Sequence, residues 1–276
     1  MAEPQLDEIG YWSEIKLDIV KKYASAYSTV LANQKQIRGH IYIDAFAGAG
    51  HHISKTSGKF VLGSPLNALA VQPPFTEIHL VDLDGDRADG LRKMTATHPH
   101  VSVHNGDCNE ILLRSVFPRA KYSDYKRALC LLDPYGLTLA WDVVQAAGKS
   151  KSIEVFINFP LMDINMNVLK HDRTKVDPRQ IKRMNTFWGD QTWETAGYAE
   201  TSGLFGAMEE KSDNLTLAKA YQKRLKDVAE FDYVPDPMPM RNRSSSIVYY
   251  LFFASPNRTG AKIVGDIFSK YRHKGE

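Results

Sequence analysis

The sequence predicts an α/β fold in which one doubly wound, mostly parallel β-sheet is flanked by helices. Five apolar strand segments alternate with helical segments, and each of the first four strands ends in an aspartate. Near the C-terminus, two strands are joined by a turn too short for a parallel crossover, so they must pair antiparallel. We expect residues 1–276 to form a single domain, with an N-terminal helical segment at 9–33 and an insertion at about 161–206.

Composition restricts the functional classes without choosing among them. The formal net charge of +3 and the pI of about 8.6 permit nucleic acid as a partner but do not require it. The two cysteines, Cys108 and Cys130, are too few and too far apart for a structural zinc site or a disulfide framework, so a reducing cytoplasm is expected. No run approaches the roughly 18–20 apolar residues of a membrane span, and the acidic N-terminus does not read as a signal peptide.

The first element is a helix over residues 9–33, because an apolar or aromatic side chain recurs at every fourth position. This stripe consists of Tyr11, Ile15, Ile19, Tyr23 and Tyr27. The lysines nearby are expected on the other faces, either solvated or as a basic rim for phosphate: Lys16, Lys21, Lys22 and Lys35.

The first strand runs directly into a turn of small residues. Ile41 and Ile43 are β-branched strand formers, and Asp44 stands where the strand ends. At Gly48 and Gly50 the backbone can turn sharply and lie against a ligand. In open α/β sheets, ligands bind at the carboxyl ends of strands. The segment therefore favours a nucleotide-like ligand with a positive or hydroxylated group near Asp44, and a simple tight turn is the alternative.

A long connection at residues 50–63 follows, and its length is typical of a lid or a substrate loop. Ser64 and Pro65 then predict a helix N-cap and first helical position, with the helix continuing to residue 71. The pair His51 and His52 has no carboxylate or cysteine at ligand spacing, so no metal site is predicted.

The remaining strands repeat the first pattern and are predicted at residues 77–84, 101–108, 128–136 and 152–160. A helix at 85–97 separates the first two of these. The insertion is expected to be irregular or short-helical, with a basic run at 170–183. The chain then closes with helices at 214–230 and 260–271 and with antiparallel strands at 233–240 and 246–254.

The strand-end aspartates can share one cofactor. Asp82 is placed to bind ribose hydroxyls, with Leu83 beside an adenine ring. Asp107 can accept from the exocyclic amine of adenine, while Asp44 and Gly48 hold an amino-acid tail. Each acid alone can instead cap a helix, but their common position favours a cofactor. The third glycine of a dinucleotide motif is missing, and the acid of strand two lies farther along than expected, so S-adenosylmethionine fits better than NAD.

The end of the fourth strand carries the candidate chemistry. Asp133 can accept the N–H of a target amine, Pro134 stiffens the turn, and Tyr135 can stack on a flipped base. The alternative is a strand exit with Tyr135 packed in the core. A second corner, residues 158–160, either lines the substrate pocket or is a plain turn.

These motifs resemble the three-Cys-motif partner protein family over nearly the whole chain, in order. They include the segments at 44–50, 63–65, 82–84, 106–107, 131–136, 158–160 and 249–257. The cofactor half is also similar to class I methyltransferases, whose seven-stranded sheet ends in an antiparallel hairpin. The resemblance implies S-adenosylmethionine as cofactor and a radical-type iron–sulfur partner that bears the three cysteines. The implied cofactor-binding residues are Asp44, Phe46, Gly48, Gly50, Asp82, Leu83, Asp107 and Cys108, the last mainly through its backbone.

The prediction is therefore an S-adenosylmethionine-dependent methyltransferase acting on a nucleic-acid base, at an exocyclic amine. Its catalytic residues are Asp133, Pro134 and Tyr135. The residues predicted to bind substrate are Ser64, Asn158, Phe159, Pro160, Arg241 and Arg243, and the basic run is expected to meet phosphates of RNA or DNA. The alternatives are a non-catalytic scaffold, on which the tryptophan-rich insertion docks the three-cysteine partner, and a methyltransferase for a small molecule or a protein.

Overall fold

The computed structural model describes residues 7–203, 206–242 and 244–272, and within 200–203 and 206–209 it describes the backbone only. The strands are β1 (Asp7–Ile9), β2 (Gly39–Asp44), β3 (His51–Ser54), β4 (Phe60–Leu62), β5 (Glu77–Asp82), β6 (Val101–Asn105), β7 (Lys126–Leu132), β8 (Ile153–Phe159), β9 (Tyr198–Gly203), β10 (Gly206–Lys211), β11 (Met238–Arg241) and β12 (Ile247–Ala254). The helices are α1 (Tyr11–Ala32), α2 (Ser64–Leu69), α3 (Gly85–Met94), α4 (Cys108–Ile111), α5 (Trp141–Lys149), α6 (Leu161–Asn167), α7 (Pro178–Trp188), α8 (Trp193–Gly197), α9 (Asn214–Asp227) and α10 (Arg258–Tyr271).

Seven strands form the central sheet, in the order β11-β12-β8-β7-β2-β5-β6. The five strands from β8 to β6 are parallel, and β12 is antiparallel to both of its neighbours. Strand β11 therefore points the same way as the parallel five, and six strands end at one edge, which we call the carboxyl edge. The predicted α/β sheet, mostly parallel with a C-terminal antiparallel pair and flanked by helices, is confirmed.

The sheet is buried on both faces because its strands alternate between two hydrophobic clusters. In β2, Ile41 and Ile43 contribute to one cluster, while Tyr42 between them contributes to the other. Helices α1, α2, α3 and α10 cover one face, and α5, α7 and α9 cover the other. This double burial explains why the strands appear in the sequence as continuous apolar runs.

The connection after β2 is more ordered than predicted. Strands β3 and β4 form an antiparallel hairpin, and β1 joins it in parallel beside β3. The prediction that Ser64 is the N-cap of α2 is wrong, because Gly63 occupies that position. The Gly63 N–H donates to the Gly50 carbonyl at 2.8 Å, and a Cβ on Gly63 would lie 2.8 Å from that same oxygen. The close approach of the two backbones therefore requires glycine at residue 63.

Strand β11 begins five residues later than predicted. Before it, Tyr233 pairs with Ser255 through an isolated antiparallel bridge only. Pro235 and Pro237 lie between this bridge and Met238, where β11 starts. Proline has no N–H to donate to a ladder, which accounts for the late start of the strand.

The predicted insertion contains helices α6, α7 and α8 and passes into the β9–β10 hairpin, which ends at Lys211 rather than at residue 206. Its aromatic residues Trp188, Trp193 and Tyr198 are buried in the same cluster as α5 and α9. Because these side chains pack in the core, they cannot form the docking surface that the scaffold alternative assigned to them.

Candidate active site

A groove of about 400 Å³ lies at the carboxyl edge, among the segments that follow β2, β5, β6 and β7. Its walls include five residues predicted to bind cofactor, namely Phe46, Asp82, Leu83, Asp107 and Cys108, and also Tyr135. Its lining also contains two polar side chains that no sequence pattern indicated, Arg87 and Thr138. Residues from four separate strand ends therefore converge on one concave surface, as expected for ligands of open α/β sheets.

Asp82 holds two of these segments together. Its side chain accepts the Gly48 N–H at 2.8 Å through Oδ2 and the Asp84 N–H at 2.9 Å through Oδ1. The residue is only 8 % exposed. A carboxylate has about four lone-pair sites, so each oxygen retains acceptor capacity for a ligand hydroxyl. Leu83, next in the chain, is 76 % exposed and forms an apolar wall of the groove.

Asp107 has the alternative role of a helix cap, and its place in the groove wall is compatible with the cofactor role predicted for it. It is exposed in the groove wall, and its Oδ1 accepts the Asn109 N–H at 2.9 Å at the start of α4. Cys108 beside it is buried, and burial raises the pKa of its thiol to about 12. The thiol is therefore neutral at physiological pH, and Cys108 can contribute shape and backbone contacts rather than a nucleophile.

Asp44 lies directly behind the groove, one residue before Ala45 in its wall. Its Oδ1 accepts the Phe46 N–H at 3.3 Å, while its buried Oδ2 has no hydrogen-bond partner within the described residues. Burial raises the pKa of Asp44 to about 7, against the lowering effect of the nearby Ser64 hydroxyl. The Ser64 hydroxyl and the Lys16 ammonium group already favour the charged form of Asp44, and a cationic group placed at Oδ2 would stabilise it further.

The two glycines predicted to bind cofactor do not line the groove. Gly48 has a φ of +64° and donates to Asp82, so it supports the groove wall at Asp82 rather than forming it. Gly50 has a φ of +79°, and a Cβ there would lie 2.9 Å from the Met94 Cε atom. Both glycines therefore shape the loop between β2 and β3.

Asp133 is held by two side chains from other elements. The Lys16 ammonium group of α1 forms an ion pair with Oδ2 of Asp133, and Asn158 Nδ2 donates to Oδ1 at 2.8 Å. Because the carboxylate only accepts hydrogen bonds, the amide nitrogen of Asn158 must face it. The opposite atom, Asn158 Oδ1, is buried and has no partner within the described residues. The site thus contains a second acceptor beside Asp133.

The expectation that Lys16 lies on a solvated or rim face is wrong. The residue is 7 % exposed, and its Nζ lies 5.7 Å from the centre of the Tyr249 ring. The sequence did contain a signal for this burial, because Lys16 shares the spacing of Val20, Tyr23 and Tyr27 on the packed face of α1. A lysine on an apolar helix face implies a buried partner, and here that partner is Asp133.

Tyr135 is 70 % exposed and lines the groove, in contrast to the alternative in which it packs in the core. Pro134 before it is buried at the end of β7. The aromatic ring is therefore presented at the surface by a fixed backbone, close to Asp133 in the chain. This arrangement can offer a planar surface to a base.

In the second corner, residues 158–160, one of the three residues, Asn158, is available to contact a ligand. Phe159 is fully buried among Phe187, Tyr221 and Phe252, with ring centroids 4.8–5.7 Å from its own. The buried Pro160 accepts the Ile164 N–H at the start of α6. The structure does not support the substrate contact predicted for these two residues, because the pleat of β8 turns Phe159 to the core opposite to Asn158.

Replacing Phe159 with alanine is expected to reduce the free energy of unfolding by about 3–5 kcal/mol, because it leaves a cavity among packed rings. The exposed Tyr135 is the matched control, and its change to alanine should alter stability by less than about 0.5 kcal/mol. Urea unfolding followed by circular dichroism measures both variants. A stability loss for Phe159→Ala as small as that of the control would contradict the core assignment.

The predicted phosphate-binding cations are mostly paired with acids. In the basic run, the pairs are Arg173–Glu194, Lys175–Asp172, Arg179–Asp177 and Arg183–Asp163. Arg241 is exposed at the end of β11, at the carboxyl edge, and its side chain donates to the Ser245 carbonyl at 2.7 Å. Arg243 lies outside the described residues. Exposed ion pairs are weak, so these cations can exchange partners with phosphates.

In the part of the chain that the structure describes, no cluster of three or more histidine, cysteine, aspartate or glutamate side chains suited to a metal ion occurs. Nor does that part contain a helix with both the length and the apolar character needed to cross a membrane.

No protein-family model matches this chain, and no curated protein matches its sequence. Among solved structures, LPL1258 from Legionella pneumophila has 11 % identity and a TM-score of 0.48, with 92 % of this chain and 90 % of that one covered. A S-adenosylmethionine-dependent methyltransferase from Clostridium acetobutylicum has 10 % identity and a TM-score of 0.41, over 87 % and 91 % of the two chains. A putative one from Listeria monocytogenes has 12 % identity and a TM-score of 0.39, over 84 % and 97 %. Similarities this low do not transfer an activity, so a function must be argued from the site itself.

Proposed function

We propose that this protein is a S-adenosylmethionine-dependent methyltransferase that modifies an exocyclic amine of a nucleic-acid base. The observation that supports it most directly is the groove, in which the ends of four strands bring Asp82, Leu83, Asp107 and Tyr135 to one surface. A pair of hydrogen-bond acceptors is formed by Asp133, which follows the same strand as Tyr135, and Asn158 in the neighbouring strand β8.

The residues present fit the cofactor in each of its parts. Asp82 retains lone pairs for ribose hydroxyls, Leu83 offers an apolar surface to adenine, and Asp107 is available to its amine. The unpartnered Oδ2 of Asp44 suits the ammonium group of the amino-acid tail. When bound, the cofactor would supply a methyl group carried on a sulfonium sulfur. As the amine nitrogen bonds to the methyl carbon, the carbon–sulfur bond breaks and leaves a neutral thioether, and one N–H proton of the amine passes by way of Asp133 to solvent. The protein then needs chiefly to align the acceptor and exclude water.

The acceptor end of the proposed site favours a planar amine. The exposed Tyr135 ring can stack on a base, as nucleobase-modifying enzymes require of an extruded substrate. Asp133 and Asn158 Oδ1 can each accept one N–H of a primary amine. Arg241 and the cations of residues 170–183 are the proposed phosphate contacts. The family resemblance supports a three-cysteine-motif partner, the scarcity of cysteines supports a cytoplasmic location, and both remain part of this proposal.

Isothermal titration with S-adenosylhomocysteine tests the cofactor assignment, and we expect saturable binding at one site. Labelled-methyl transfer to tRNA, rRNA, DNA and lysate protein then tests the substrate class, with label expected in nucleic acid. Label in protein alone would replace the base with a protein substrate. Absence of cofactor binding would instead favour the non-catalytic scaffold.

The affinity for S-adenosylhomocysteine is expected to rise with pH between about 5.5 and 7 and then level off. The pKa of Asp44 is raised to about 7, so its carboxyl is mostly protonated below that pH and must lose a proton to bind the ammonium group. The limiting slope is tenfold in the dissociation constant per pH unit. Titrations at a series of pH values measure it, and Asp44→Asn should remove the slope. An equally steep slope in that variant would assign the proton to another group.

A further inference from the structure

The ion pair between Lys16 and Asp133 gives the acceptor site an electrostatic property that its carboxylate alone would not have. Lys16 lies on α1 and is buried. The first turns of α1 are also held against β3, because the Ser54 hydroxyl donates to the Glu14 carboxylate at 2.7 Å. Asp133 therefore does not face an incoming ligand as an uncompensated anion. Its charge is already opposed by an ammonium group from the same chain, which also lowers the pKa of the neighbouring Asp44 carboxyl.

A cationic acceptor would bind unfavourably at this site. Two like charges held a few ångströms apart repel each other at the effective dielectric constant of a protein surface. An alkylamine has a pKa near that of lysine, about 10.4, so it is almost entirely protonated at neutral pH. It would compete with Lys16 for Asp133, and its nitrogen would also lack the lone pair needed to take a methyl group.

A neutral primary amine can bind at this site without electrostatic repulsion. Lys16 and the Asn158 amide nitrogen each occupy one position on the Asp133 carboxylate, which leaves further lone pairs on both oxygens. Asn158 Oδ1 is a buried acceptor that lacks a donor within the described residues. An –NH₂ group has two N–H bonds, one for each acceptor, and it brings no charge to repel Lys16.

We infer that Lys16 is a positioning residue that, through Asp133, restricts the acceptor to primary amines that are uncharged at neutral pH. This inference rests on the proposed methyl transfer and narrows its substrate class. Exocyclic amines of nucleobases satisfy the restriction, because their lone pair is delocalised into the ring and they are not protonated at neutral pH. Lysine side chains of proteins and aliphatic polyamines do not satisfy it.

The test is a titration of n-butylammonium, a mimic of the lysine side chain, followed by NMR chemical shifts. It is done on cofactor-free protein and on protein saturated with S-adenosylhomocysteine, and it reads binding rather than activity. We expect weak binding to the wild type and at least about tenfold tighter binding to Lys16→Met, in which Asp133 is left uncompensated. Lys16→Arg should behave like the wild type, because it keeps the charge.

Two further variants separate charge from structure. The double variant Lys16→Met/Asp133→Asn removes both charges and should bind n-butylammonium as weakly as the wild type. Lys21→Met changes an exposed lysine of the same helix and should have no effect. Equal n-butylammonium affinity in wild type and Lys16→Met, with both folded by circular dichroism, would overturn the inference. A failure of S-adenosylhomocysteine to bind would overturn the proposed function instead, and the cofactor-free titration would still decide the role of Lys16.

Discussion

Replacing Asp133 with asparagine is expected to lower kcat for methyl transfer by at least about 100-fold and to leave the affinity for S-adenosylhomocysteine within about twofold of the wild type. An asparagine at this position can present its oxygen to Lys16, but its amide nitrogen then faces Asn158. The Asn158 amide must rotate to accept that N–H, and this uses up its free Oδ1. One substitution therefore removes the free acceptor of Asn158 and replaces the charged acceptor at residue 133 with a weaker, neutral one.

Single-turnover transfer to the labelled nucleic acid measures the effect on kcat, and isothermal titration measures cofactor affinity separately. Asp142→Asn is the matched control, because Asp142 is an exposed acid in the first turn of α5, the helix that follows the Asp133 segment. We expect wild-type values for both quantities in this control. Unchanged kcat in Asp133→Asn would remove Asp133 from the proposed chemistry, while leaving the cofactor groove unaffected.

Replacing Asp82 with alanine is expected to weaken S-adenosylhomocysteine binding by about 100-fold or more. Hydrogen bonds to a charged group contribute about 1.5–3 kcal/mol each, and the ribose would lose its carboxylate acceptor. The Gly48 and Asp84 N–H groups would lose their acceptor as well, so the loops after β2 and β5 would no longer be joined through this side chain. Both effects act on the same wall of the groove.

Titration calorimetry measures the change, with Asp86→Ala as control, because Asp86 is an exposed acid in the first turn of α3. Asp82→Asn separates the two effects, since an amide oxygen can still accept from Gly48 but offers less to a ribose. We expect intermediate affinity for that variant. Affinity within about threefold of the wild type in Asp82→Ala would exclude the groove as the adenosine site.

The fold could be predicted from the sequence because the patterns that determine it are local and repeated. Strands buried on both faces must be apolar throughout, so β2 and β7 stand out as runs that end at Asp44 and Asp133. The turn that joins β11 to β12 is short, and two strands joined by a short turn must pair antiparallel wherever they lie in the sheet. By contrast, β3 and β4 are two of the three strands of a small separate sheet, and their burial gives no clear alternation for a sequence pattern to reveal.

The candidate site could be predicted from the sequence only in part. Aspartates at strand ends could be assigned to one edge because parallel strands place their carboxyl ends together. Phe159 was misassigned because a motif in sequence does not show which face of a strand each residue occupies in the fold. Lys16 was missed because its partner, Asp133, is 117 residues away in the chain.

The sequence by itself determined the sheet, its antiparallel C-terminal pair and the edge at which the acids gather, since these follow from periodicity and turn length. Only the tertiary structure decided which of those acids bridges two loops, which one is buried and which one forms an ion pair with a lysine. Asp82 bridges two loops, Asp44 is left with an unpartnered oxygen, and Asp133 is matched by Lys16. The physical reason is that burial and ion pairing depend on contacts between residues far apart in the chain, which local patterns do not specify.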